Sequence, residues 1–162
     1  MIPEVEELEA GPPREVALEN AFRKAAAAAA RGAAGPVLGV DTVVSIGHRI
    51  YGKPRDREEA RATLEALSGR AHMVTSGVCL IEDAGPRTAV ATTVVEFRAL
   101  ADALIDWYVH GEEWRERAGG YAIQGRGAAL VRRIEGDYLN VVGLPLSTVL
   151  ELAPWLLDGA RR

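Results

Sequence analysis

A single cysteine, Cys79, stands among the 162 residues, so no intramolecular disulfide is possible. It lies in the apolar run Ser76-Gly77-Val78-Cys79-Leu80-Ile81, with no histidine or other base beside it, and reads as a small buried hydrophobe rather than a catalytic thiol. No apolar run reaches the roughly 18 residues that a membrane-spanning helix needs. Basic excess is missing as well: 19 Lys and Arg face 23 Asp and Glu, for a net charge of −4. That argues against a general nucleic-acid binder, yet leaves room for a local cationic pocket around one phosphorylated ligand. The histidines, His48, His72 and His110, are scattered without helical metal-ligand spacing, so no zinc site is expected. There is no Gly-x-Ser-x-Gly elbow for Ser/His/Asp hydrolysis. A Walker loop and a dinucleotide fingerprint are also missing. The acidic opening Met1-Ile2-Pro3-Glu4-Val5-Glu6-Glu7 lacks the basic and apolar regions of a signal peptide, and a cytoplasmic protein is expected.

What is present suits one domain over residues 1–162, with 48% hydrophobic and 26% charged residues and neither an internal repeat nor a long linker. Pro12-Pro13 opens a helix expected over 14–31, whose alanine run 25–30 favours helix and offers a smooth face for packing on a sheet. Val37–Ile46 reads as a strand, and Gly47-His48-Arg49 as a tight turn into Ile50-Tyr51. Asp56 and Glu59 form a capping-box pattern ahead of a helix that ends at Leu67. His72–Ile81 and Ala89–Phe97 form an antiparallel hairpin around Glu82–Pro86. Asp102–His110 is a short helix, 128–134 a strand and 146–157 the last helix. This mixture of helices and strands favours an α/β or α+β domain with a mixed sheet.

Several residues carry chemical interest. Asp41 interrupts an otherwise apolar strand, where a carboxylate is costly unless paired, metal-bound or exposed. Alone, it reads equally well as functional or as satisfied by Thr42 or a backbone amide. Lys53 sits in a loop defined by Gly52 and Pro54. It lies a dozen residues after Asp41, across a hairpin that folds it back. Lys24 and Arg23 are the charges of the alanine-rich stretch 21–30, and alone Lys24 reads as solubilising the helix. In Gly119-Gly120-Tyr121-Ala122-Ile123-Gln124-Gly125-Arg126-Gly127, four glycines surround Tyr121 and Gln124. Glycine allows positive φ and close approach to a ligand, and a glutamine amide both donates to and accepts from a nucleobase edge. The plain structural alternative is a bend with Tyr121 in the core. Trp107, Trp114 and Trp155 fall on or beside helices and read as core. The charged run 55–61 reads as a solvated helix face.

The ordered set Lys24-Ala25, Asp41-Thr42-Val43-Val44, Gly52-Lys53-Pro54, Leu67-Ser68-Gly69, Ala118-Gly119-Gly120-Tyr121, Gln124-Gly125 and Gly143-Leu144-Pro145 resembles the Maf nucleotide pyrophosphatases over about residues 3–157. The resemblance implies hydrolysis of a nucleoside triphosphate to the monophosphate and pyrophosphate with Mg²⁺ or Mn²⁺. It implies an elongated α/β fold related to inosine triphosphate pyrophosphatases, and a homodimer. By the same resemblance Asp41 is the catalytic proton acceptor, and Lys24 and Lys53 contact phosphate. Glu6 is the acidic residue that joins Asp41 at the metal, with Glu4 or Glu7 as alternative registers. A triphosphate needs cations, and attack at the α-phosphorus needs an activated water, so these roles are chemically coherent.

Thr42 and Gln124 stand where the family separates dTTP/UTP enzymes, with Asp-Thr and Tyr-x-Ile-Gln, from 7-methyl-GTP enzymes, which carry glutamine and glutamate there. The resemblance therefore implies a house-cleaning dTTP/UTP pyrophosphatase that extends to modified pyrimidine nucleotides. One departure stands out. The family opens with a strand, a loop of the form Ala-Ser-x-Ser-Pro-Arg-Arg and a helix, and nothing in this sequence matches them. An upstream true start is the favoured expectation. A catalytically inactive nucleotide-binding or cell-division regulatory protein is the alternative.

Overall fold

The structure, a computed structural model, describes residues 5–161. Helix α1, Pro13–Ala30, starts with Pro13 in its first turn and buries the stripe Val16, Ala17, Asn20, Ala21 and Ala25. Strand β1, Val37–Ile46, alternates its faces. Val37 packs with Ala21 and Ala25, and Val43 with Val16 and Ala17, so the odd-numbered residues face α1. Val44 points the other way, into the larger core. Strand β2 is Arg49–Tyr51 and helix α2 is Arg57–Leu67. Asp56 caps α2 by accepting the Glu59 amide at 2.8 Å, and Ala60, Leu64 and Leu67 form its buried face. Strands β3, Ala71–Glu82, and β4, Gly85–Phe97, make the hairpin expected from the sequence. Helix α3 is Asp102–His110, strand β5 Val131–Glu135, helix α4 Tyr138–Val142 and helix α5 Leu146–Leu152.

The strands form a five-stranded sheet in the order β2-β1-β3-β4-β5. Helix α1 covers one face. The other face carries the main core, built from α2, α3, Phe97, Trp114, Tyr121 and Leu130. The α1 side is unusually close. A Cβ added to Gly39 would lie 2.2 Å from the Ala21 carbonyl oxygen, and one added to Gly77 would lie 2.3 Å from that of Ala17. Two glycines on adjacent strands thus meet the alanine face of the helix, and neither surface tolerates a larger side chain.

The α/β architecture with flanking helices agrees with expectation, but the sheet is not mixed. Each pairing among the described residues is antiparallel. Short turns join β1 to β2 and β3 to β4, which only antiparallel neighbours permit. Helix α2 then carries the chain from β2 across β1 to β3, so the two strands of like direction are separated by β1. Other boundaries shift for local reasons. Residues Gly125–Ala129 wind into a 3-10 turn, so β5 starts at Val131. Helix α5 stops at Leu152 because Ala153 precedes Pro154 and is extended out of the helical region. Helix α4 has no counterpart among the expected elements; Asp137 caps it by accepting the Leu139 amide at 2.8 Å. Trp114 is core, whereas Trp107 and Trp155 are exposed. Among the described residues no helix is long and apolar enough to cross a membrane.

Candidate active site

Asp41 lies in the middle of β1, on the face toward α1, and is buried. Strand β2 pairs only with Val44–Ile46, so at Asp41 β1 is hydrogen-bonded on its β3 side alone among the described residues. The site opens along that unpaired stretch. Both carboxylate oxygens of Asp41 have partners from α1. Lys24 Nζ donates to Oδ1 at 2.5 Å and Asn20 Nδ2 to Oδ2 at 3.2 Å. Lys24 and Asn20 are four residues apart, one helical turn, so they reach the same strand position side by side. Lys24 Nζ also meets Glu7 Oε1 at 2.8 Å, and Lys53 Nζ approaches Glu7 Oε2 at 3.4 Å. The result is a chain of alternating charge from Lys53 through Glu7 and Lys24 to Asp41.

This pairing shifts the titration of its members. Burial pushes the Glu7 carboxyl up, but the hydrogen bonds and charges of Lys24 and Lys53 outweigh it and hold the group below its ordinary 4.5. Burial works to lower Lys24, yet the Asp41 and Glu7 carboxylates overcome it and hold the ammonium above its ordinary 10.5.

Beside this cluster, across β1, runs a cleft floored by Thr42, Val44 and Val74 and walled by the glycine segment. Thr42 Oγ1 and Ser76 Oγ share a hydrogen bond of 2.8 Å. Gly119 and Gly120 have φ of 70° and 66°. A Cβ on Gly119 would sit 2.8 Å from Val44, and one on Gly120 3.0 Å from Pro54. The Gly119 amide donates to the Gly52 carbonyl at 3.0 Å. Glycine at these two positions therefore lets the segment seat on β1 and on the loop carrying Lys53. Two tyrosines anchor the chain just beyond these glycines: Tyr121 Oη pairs with His72 Nε2 at 2.8 Å, and the Ala122 amide donates to Tyr108 Oη at 3.1 Å. Burial pushes the His72 imidazole down to about 4 and the Tyr108 hydroxyl up to about 12, so both are neutral at pH 7. Gln124 leaves this anchored stretch with its side chain exposed at the cleft.

A cleft with an apolar floor, a neutral amide and charged residues on its rim, adjoining a lysine–carboxylate cluster, suits a small polyanion with a planar apolar end. The family model for Maf-like proteins matches residues 1–154. The chain belongs to the Maf family. Among its relatives, a protein of Pyrococcus furiosus named dTTP/UTP pyrophosphatase is 46% identical over 140 residues, covering 86% of this chain and 74% of the relative. The protein of that name in Deinococcus radiodurans is 44% identical, covering 92% and 76%. The one in Thermococcus kodakarensis is 46% identical, covering 91% and 79%.

In this Maf protein the residues singled out from sequence come together unevenly. Asp41, Lys24 and Lys53 share one cluster, and Thr42 and Gln124 line the adjoining cleft, which Asp41, Lys24 and Lys53 also border. Glu6 stands apart: its side chain is exposed, and its backbone carbonyl accepts from Arg23 at 3.1 Å. The carboxylate at the lysines belongs to Glu7, the alternative register, because successive side chains of an extended segment point to opposite sides. Glu4 lies outside the described residues. Two contributors escape a reading of the sequence. Asn20 carries no signal in the sequence beyond its position one turn before Lys24. Arg117 lines the cleft and has no ion pair among the described residues; nothing in its sequence context distinguishes it from a solvated arginine.

No group of three or more His, Cys, Asp or Glu able to hold a metal ion occurs among the described residues. Glu7 and Asp41 are nonetheless two carboxylates directed at one cationic point, the Lys24 ammonium, at 2.8 and 2.5 Å. That donor set fits Mg²⁺, which is commonly held by one or two carboxylates with the remaining positions taken by water and substrate phosphate.

Proposed function

We propose that this chain hydrolyses dTTP and UTP, and modified pyrimidine nucleotides of the same shape, to the nucleoside monophosphate and pyrophosphate. The observation that carries the reading is the Lys53–Glu7–Lys24–Asp41 cluster opening directly onto the cleft of Thr42 and Gln124. The names of the relatives supply the substrate class.

In this reading the pyrimidine enters the cleft against Val44 and Val74, and Gln124 pairs with its neutral edge by donating and accepting at once. The triphosphate extends toward Lys24 and Lys53, which turn from their carboxylate partners to phosphate oxygens. Glu7 and Asp41 would hold a divalent cation, Mg²⁺ or Mn²⁺, which would supply charge neutralisation at the phosphates. Asp41 accepts a proton from the attacking water. The water oxygen bonds the α-phosphorus, the bond from that phosphorus to the bridging oxygen breaks, and pyrophosphate leaves with the bond's electron pair. Burial of Asp41 between Asn20 and Lys24 fixes its orientation for this step. A homodimer and a cytoplasmic setting belong to the same reading. The alternative of an inactive binding or regulatory protein is not favoured, since the charged cluster and the cleft residues stand together.

The test is product analysis by chromatography after incubation with Mg²⁺ and dTTP, UTP, CTP or 7-methyl-GTP, with Asp41→Asn as control. The expected result is dTMP or UMP with pyrophosphate, and loss of at least about 10³-fold in the control. Hydrolysis by Asp41→Asn at the native rate, or release of orthophosphate in place of pyrophosphate, would sink the reading.

A further inference from the structure

We infer that Asn20 is a positioning residue that couples the two acidic groups of the site: it sets the place of Glu7 by clamping the backbone of Leu8 and holds Asp41 with the same amide. Asn20 is buried, 2% exposed. Its Oδ1 accepts the Leu8 amide at 2.7 Å, and its Nδ2 donates to the Leu8 carbonyl at 3.0 Å and to Asp41 Oδ2 at 3.2 Å. Both amide protons and one acceptor direction are therefore committed. A side-chain amide bonding both polar groups of one residue acts as a strand partner would. It fixes the Leu8 backbone in position and direction, and Glu7 is its neighbour, one Cα step of about 3.8 Å away.

The chemistry selects asparagine. Aspartate offers no proton to the Leu8 carbonyl or to Asp41, leucine offers nothing polar, and glutamine is one carbon longer. Residues Val5–Ala10 have no helix or strand pairing of their own. Two other side-chain contacts tie the segment to α1: Arg23 to the Glu6 carbonyl, which is exposed and does not reach Asp41, and the Glu7–Lys24 ion pair, which holds the Glu7 carboxylate but not the segment's backbone. Asn20 thus joins an otherwise irregular segment to the carboxylate on β1. Lys24 bonds both carboxylates; Asn20 adds the backbone clamp that positions Glu7 and the second bond that orients Asp41, so loss of that side chain loosens both.

This role rests on the pyrophosphatase reading for its kinetic arm, and a second arm is independent of turnover. The kinetic arm compares Asn20→Leu and Asn20→Asp in the native background and in Glu7→Gln, with dTTP and UTP at saturating Mg²⁺. Either variant is expected to lower kcat about tenfold or more, with a smaller change in KM. In the Glu7→Gln background the same substitution is expected to cost only about threefold, because part of its effect acts through Glu7. A substitution that merely loosened the fold would cost the same factor in both backgrounds. The independent arm is hydrogen–deuterium exchange of peptides covering residues 5–9, expected to become about tenfold faster in Asn20→Leu. Leu8→Pro, which removes the amide proton Asn20 accepts while leaving Asn20 and Asp41 intact, is expected to speed exchange there too. Native kcat in Asn20→Asp, equal fold-losses in the two backgrounds, or unchanged exchange in Asn20→Leu would each overturn the inference. If the native chain turned over no pyrimidine triphosphate, the pyrophosphatase reading would fail and exchange alone would decide the clamp.

Discussion

Replacing Lys24 with methionine removes one ammonium and leaves two carboxylates without their shared partner. Methionine keeps most of the aliphatic stem, so the packing change is small and the charge is the perturbation. The Asp41 side chain is 8% exposed, that of Lys24 23% and that of Glu7 32%. Removing one member of a fully buried pair costs about 3–5 kcal/mol, whereas an exposed pair is worth about 0.2–1 kcal/mol. The cluster lies between these limits, and Asp41 retains Asn20 on its other oxygen. The expected loss is about 2 kcal/mol, which for a chain of this length lowers Tm by about 4–8 °C. The loss depends on pH in a definite sense. The Glu7 carboxyl is held below 4.5, so its contribution is complete above that value and disappears as pH falls through the lowered one. The Lys24 ammonium is held above 10.5, so its contribution is complete below that value and disappears as pH rises through the raised one. The Tm gap between the native chain and Lys24→Met is therefore widest between about pH 5 and 10 and narrows on both sides. Calorimetry across this range measures it. With the proposed phosphate contact gone as well, kcat/KM for dTTP should fall by about 10²-fold or more. A Tm within about 1 °C of native at pH 7, or a gap that does not change at pH 4, would refute the electrostatic account of this site.

Two other substitutions separate specificity from packing. Gln124→Glu exchanges an amide donor for a charge at the mouth of the cleft, and kcat/KM for UTP should fall about tenfold or more. Tm should stay within about 1 °C, because the side chain is exposed and makes no hydrogen bond among the described residues; undiminished UTP turnover would remove Gln124 from base recognition. Gly77→Ala drives a methyl toward the Ala17 carbonyl, 2.3 Å from the ideal Cβ position. A loss of about 1–3 kcal/mol is expected in denaturant titration, against little change for Gly52→Ala, whose Cβ would meet nothing within 4 Å.

Element identities are legible where local signals agree. Strand β1 and helix α3 fall on the expected bounds, since an apolar β-branched run and a short amphipathic segment each have one reading. The hairpin of β3 and β4 is set by its turn, although β4 begins at Gly85, inside the expected turn. Strand direction is not legible, because a helix between two strands is compatible with a crossover over one strand or none. The division of the tryptophans is also hidden. Trp114 is buried and donates from Nε1 to the Val109 carbonyl at 3.0 Å, while Trp107 lies under the Arg126 guanidinium at the surface. Both outcomes suit an aromatic residue near a helix end.

The site residues are legible as types and only partly as a constellation. Asp41 alone leaves two readings open; the structure shows its carboxylate paired with Lys24 and Asn20, and its part in catalysis belongs to the proposed function. The acidic segment illustrates the limit. The resemblance favours Glu6 as the acidic partner of Asp41, whereas the structure brings Glu7 to the lysines; the choice between neighbours in an extended segment depends on which face meets α1, which sequence alone does not give.

The cluster is neutral as it stands, with Glu7 and Asp41 balanced by Lys24 and Lys53. A triphosphate meets no surplus of positive charge there and must take the lysines from their present partners. Each lysine that turns to phosphate leaves a carboxylate short of a cation, and Asp41, buried on β1, cannot recover its solvation in water. The cost of binding substrate alone is therefore concentrated on the two carboxylates. A divalent cation arriving with the phosphates relieves both at once, because Glu7 and Asp41 already point at one position. On this argument the metal requirement that we propose would originate in the charge balance of the protein as much as in the chemistry of the phosphates. Arg117, without an ion pair among the described residues, is the cleft cation able to engage the substrate without breaking a pair first.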